Sequence, residues 1–130
     1  MKLQLVLAFV YALMAFAAAE PAVAQVQRQF PKNALRGSLV IDEPPRVTLN
    51  GRPAQLAPGA RIRNPSNMLA LSGTLIGAKL LVHYTLDPMD LISDVWILTP
   101  EEAAKRPWPA TPQQAEAWTF DPIAQTWSRP

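Results

Sequence analysis

The sequence predicts a mainly β protein: a small antiparallel barrel or sandwich of about six short strands, one short helix and a Pro/Trp-rich C-terminal tail. Three observations predict it. Residues 79–98 are two runs of alternating apolar side chains around the turn Asp87-Pro88-Met89-Asp90. Asn50-Gly51 lies between two further alternating runs, a strong hairpin signal because both central residues of a type I′ turn need positive φ. Finally, Pro, Gly, Asn and Asp recur through residues 35–104 at intervals that leave room for strands and little room for helices.

Taken from the start, residues 1–24 read as a signal peptide. Met1-Lys2 is a minimal positive start, Leu3 to Ala19 is uncharged and apolar, and Ala22-Val23-Ala24 offers small-x-small before Gln25. A cut after Ala19 is the alternative, and an uncleaved membrane anchor is the rival, though many of the residues are weakly apolar alanines at the short limit for a span. Cleavage makes the protein periplasmic; membrane contact is expected only if the signal is uncleaved. Residues 25–34 are polar, hold a proline and show no period, so a flexible lead-in is expected.

Residues 35–104 carry the small β domain. Leu35, Gly37, Leu39 and Ile41 alternate with Arg36, Ser38 and Val40 until Asp42-Glu43-Pro44-Pro45 stops the strand, since proline cannot donate to a ladder. The Asn50-Gly51 hairpin follows, with Pro53 making its return strand an edge or a short pairing. Pro58-Gly59 reads as a turn before a short strand at 60–63, and Asn64-Pro65-Ser66-Asn67 as another turn. Met68 to Leu71 is a short apolar run, and Thr74 to Gly77 a helical turn or loop leading to the central hairpin. Thr99-Pro100-Glu101-Glu102 has a cap, a proline at the first helical position and acids at the positive end of the dipole, which predicts the one helix.

Residues 105–130 change composition, with five prolines and Trp108, Trp118 and Trp127. Asp121-Pro122 between aromatic flanks repeats the hairpin logic. An isolated hairpin is marginal in water, so these tryptophans either dock on the domain or form a partner-binding tail.

The strings LRGSLVI, VTLNGRPAQLAPGARIR, LIGAKLLVHYTLD and LISDVWILT resemble small secreted bacterial domains of unknown function with an OB-like barrel. They are also similar to a family of uncharacterised exported proteobacterial proteins with the same tryptophan tail. The resemblance implies the fold and export. It transfers no catalytic residues.

Chemistry is sparse. The 130 residues contain no cysteine, which excludes disulfides, thiolate metal sites and a thiol nucleophile. No phosphate-cradling glycine loop or esterase elbow occurs. His83 is the sole histidine and reads as a strand residue on the wetter face of the central hairpin. Asp87, Asp90 and Asp94 lack metal-site spacing and read as turn-solvating groups, so neither a cofactor nor a metal is expected. A small hydrolase using His83 with Asp90 or Asp94 is the weaker reading. Residues 25–63 carry seven basic against two acidic side chains, a net +5, and residues 64–130 four against seven, a net −3. Arg46, Arg52, Arg61 and Arg63 are the candidate anion-binding face, for a glycan or lipid head group; nucleic acid is not expected of an exported chain lacking stacking aromatics there. The expectation is therefore a non-catalytic exported binding or accessory module, whose partner is an envelope protein or an anionic envelope component.

Overall fold

The structure, a computed structural model, describes residues 27–130; the expected signal peptide lies outside the described residues. Strand β1 (Leu35–Glu43) pairs antiparallel with β2 (Arg46–Leu49) on one side and β5 (Lys79–Leu86) on the other. Strand β2 turns through Asn50-Gly51 into β3 (Arg52–Arg63), and β5 turns through Asp87–Asp90 into β6 (Ile92–Ile97). Parallel pairing of β3 with β6 closes a ring of hydrogen bonds, and β4 (Leu69–Ala70) adds a short edge to β3. The ring is mainly β as expected, but the sheet is mixed rather than antiparallel and is not a regular barrel. The parallel pair arises because the chain crosses over through β4, a 3₁₀ turn at Ser72–Thr74 and β5 before β6 is laid down.

The Asn-Gly turn forms as expected, with φ of 52° at Asn50 and 77° at Gly51. Pro58-Gly59 does not reverse the chain. It bends one continuous 12-residue strand, with Gly59 at φ 76°. The early part of β3 thereby pairs with β2 and the later part with β6, whose register shifts between Leu56 and Arg61. The Asp87 turn is built as the sequence suggests: the Asp87 carboxylate accepts the N–H groups of Met89 and Leu91 at 2.9 Å, and Asp90 takes φ 61° where glycine is usual.

Inside the ring, Leu39, Ile41, Val47, Leu56, Ile62, Val82, Tyr84, Ile92 and Val95 form the main core. On β1 and β5 these core residues keep the period of two that the sequence predicts, whereas on β6 Ile92 and Val95 are three apart, across the shift in its register with β5. Helix α1 (Pro100–Ala103) carries a capping box: Thr99 Oγ1 accepts from Glu102 N–H, and the Glu102 carboxylate accepts from Thr99 N–H. A second helix, α2 (Pro112–Ala117), was not expected. Thr111-Pro112 repeats the Thr-Pro start of α1, and the side chains after it are good helix formers. The hairpin β7 (Thr119–Asp121) and β8 (Thr126–Ser128) follows.

The largest departure concerns residues 27–34 and 105–130. The flexible lead-in expected at 25–34 is, over its described part, packed: Phe30 and Ala34 join Leu98, Trp108 and Trp127 in a second core. Trp108 donates its indole N–H to the Ala34 carbonyl at 3.0 Å, and Arg36 N–H donates to the Pro109 carbonyl at 2.8 Å. Gln125, buried at φ 55°, accepts the Phe30 N–H at 2.9 Å. Lead-in and tail therefore cover the outer face of β1, β5 and β6.

Candidate functional site

Burial decides the role of His83. The residue points outward from β5, where sequence reasoning expects water, yet it is fully buried because the second core covers that face. Trp108 stacks on its ring with centroids 4.1 Å apart and Phe30 meets it edge-on at 4.4 Å. Arg36 donates from Nε and Nη2 to His83 Nε2 at 3.2 and 3.1 Å. Nε2 must therefore be the unprotonated acceptor, which puts the proton on Nδ1. Burial, then the positive charges of Arg36 and Arg28, push the imidazole down to about 2 from its ordinary 6.5.

This is a structural arrangement. A general base needs a lone pair that substrate can reach, and the one on Nε2 faces a guanidinium. His83 hydrogen-bonds with neither Asp90 nor Asp94; Asp94 instead accepts from Arg63 at 3.2 Å. No group of three His, Asp or Glu among the described residues is arranged to hold a metal ion.

Arg36 in turn is fixed from the other side. Its Nη1 donates to the Ala103 and Lys105 carbonyls, and its Nη2 to the Glu102 carbonyl at 2.8 Å, so one side chain caps the C-terminal end of α1. Glu102 faces Arg28, which donates Nε to Oε2 at 2.8 Å and also reaches the Ile97 and Asn64 carbonyls. Burial would raise the Glu102 carboxyl, but the Arg28 and Thr99 hydrogen bonds hold it below its usual range. These two arginines tie lead-in, sheet and tail into one network. In the sequence they stand out only as charge.

Of the four arginines expected as an anion-binding face, two are paired with carboxylates. Arg46 pairs with Glu43 at 2.5 Å on the surface. Arg63 pairs with Asp94 and lies 5.3 Å over the Trp96 ring. Arg52 and Arg61 are exposed, the first at the start of β3 and the second near its end, beyond the bend at Gly59. The expected tail residues are likewise redistributed. Trp108 and Trp127 are buried in the second core, and Trp118 is half-buried beneath Arg129, whose guanidinium sits 5.3 Å from its ring. The tryptophans of the tail are thus docked internally.

One surface feature that the sequence reading passed over stands out by exposure. Met68, Leu69, Leu71 and Ile76, on and around the edge strand β4, are between 55% and 76% exposed. Beside them lies a cleft of about 400 Å³ lined by Pro44, Leu56, Ala60, Ile62 and Leu71 and without a charged side chain. A short run of apolar residues next to turn signals was visible in the sequence; that it stays outside the core was not. Comparison of the chain with family models, with curated proteins and with solved structures finds no match.

Proposed function

We propose that this chain is an exported, non-catalytic accessory module of the bacterial periplasm that docks on an envelope protein through the strip around β4. The observation that carries the reading is the exposure of Met68, Leu69 and Leu71 on and beside β4, at the open edge of the sheet. Exposed apolar side chains beside an unpaired strand edge are costly in isolation and are a usual mark of a protein-binding surface. The use of His83 as a buried packing residue favours binding over chemistry. The apolar segment at residues 3–19 with its Ala22-Val23-Ala24 site favours export, as does the resemblance to exported proteobacterial domains.

Two measurements test this. N-terminal sequencing of the chain recovered from the periplasm should begin at Gln25; a chain that keeps Met1 and stays in the membrane refutes cleavage. A photo-crosslinking residue at Leu71 should capture an envelope protein, and the same residue at Ile123, which is 87% exposed, should not. Equal capture at both positions, or capture at neither, refutes docking through β4.

A further inference from the structure

Arg36, Arg106 and Arg129 lie far apart in sequence, yet they line a single cleft of about 330 Å³ walled by Leu81, Pro107 and Trp108. No carboxylate lines it. Three other clefts on the described surface combine basic with acidic side chains, and a fourth is uncharged. Arg36 is held by the α1 carbonyls and His83, Arg129 lies over the Trp118 ring, and Arg106 sits in the segment that joins α1 to Trp108. Arg36 has its donors engaged and brings only charge. Arg106 and Arg129 are exposed and, among the described residues, form no ion pair and donate no side-chain hydrogen bond.

We propose that this cleft binds a phosphate group. Two open guanidinium forks and a third positive charge ask for an anion with more acceptor oxygens than one fork can satisfy. A carboxylate offers two oxygens and is matched by a single fork; a phosphoryl group offers enough oxygens for both forks and, as a monoester, up to two negative charges. Leu81, 44% exposed at the rim, gives the apolar contact that an attached carbon skeleton would use. The cleft is independent of the β4 strip and goes beyond the docking role proposed above.

The test is equilibrium binding to the chain recovered from the periplasm, at fixed ionic strength. The probes are inorganic phosphate, glycerol 3-phosphate, acetate, and vesicles of phosphatidylcholine with and without phosphatidylglycerol. Phosphate probes should bind better than acetate, and R106Q/R129Q should weaken them by at least about tenfold. The charge-matched R52Q/R61Q should leave binding within about twofold, since both arginines are exposed on β3, which contributes nothing to the cleft. Binding of the soluble probes alone identifies a free phosphate or phosphate ester as the source, and binding of the phosphatidylglycerol vesicles alone identifies a lipid head group; both support the cleft. Equal loss in the two variants, equal binding of acetate, or no binding of any phosphate probe overturns it. None of these results bears on crosslinking at Leu71, so the cleft and the docking edge stand or fall separately.

Discussion

At the scale of one residue, His83 sets a pH dependence that can be measured. In the folded chain the imidazole stays neutral down to about pH 2, whereas the unfolded chain takes up a proton near its ordinary 6.5. A depressed folded value means that stability is complete above about pH 6.5 and falls as pH drops toward 2, by about 1.4 kcal/mol per pH unit. Glu102 shifts in the same direction but from an ordinary 4.5, so the window from pH 7 to pH 5 isolates the histidine. Urea unfolding should therefore report about 2 kcal/mol less stability at pH 5 than at pH 7. In His83→Gln the same interval should show almost none of that loss, whatever the variant's own stability. A flat profile in the unaltered chain would show that water or movement reaches the ring. His83 was visible in the sequence as a strand residue. Its dry surroundings were not, because they are assembled from Phe30 and Trp108, far away along the chain.

At the scale of elements, the hairpin turns carry the information that was most legible. Asn50-Gly51 announced both its turn type and its place, and the Asn50 side chain does a second job: its Oδ1 accepts the Ser38 N–H at 2.9 Å. That side chain lies over Gly37, where an added Cβ would stand 3.0 Å from Asn50 Oδ1 and 3.0 Å from Tyr84 Cε1. Gly37→Ala should consequently cost about 2 kcal/mol through overpacking. The cost should fall in an Asn50→Gly background, which removes one of the two obstacles and keeps a residue that tolerates positive φ. A double-mutant cycle by denaturant unfolding measures this coupling; additive losses would mean that Tyr84 alone sets the barrier. Elements that depended on distant partners were harder to read. Pro58-Gly59 has turn composition, yet the strand merely bends there, because β6 offers the later part of β3 a new partner. Helix α2 had its Thr-Pro start in plain view and was obscured by the surrounding prolines, which made the whole tail look irregular.

At the scale of the whole molecule, two cores share three strands. The ring by itself is small for a domain that has no cysteine to form disulfides. The second core adds the missing burial: Trp108 alone, at about 200 Å² and about 25 cal/mol per Å², brings at most about 5 kcal/mol. Because β1 and β5 present one face to each core, neither core can open without exposing the other. Thermal unfolding should accordingly be a single transition, with tryptophan fluorescence and far-UV circular dichroism changing together. Three of the four tryptophans lie in the tail, so earlier loss of the fluorescence signal would show the tail detaching as a separate unit. The same coupling makes deletion of the tail a destabilising change, so a partner-binding role is better tested at single exposed positions than by truncation.

The sequence by itself determined the local facts: the alternating strands, the Asn-Gly and Asp-Pro turns, and the capped start of α1. Each rests on backbone sterics and on hydrogen bonds within a few residues, which neighbouring side chains dictate wherever the segment ends up. Only the tertiary structure decided that β3 pairs in parallel with β6, that the outer face of β5 is dry, that Arg63 pairs with Asp94, and that Arg36, Arg106 and Arg129 line one cleft. Those outcomes turn on which apolar surface covers which, a choice made between segments as far apart as Phe30 and Trp127, and burial has no period along the chain that could announce it.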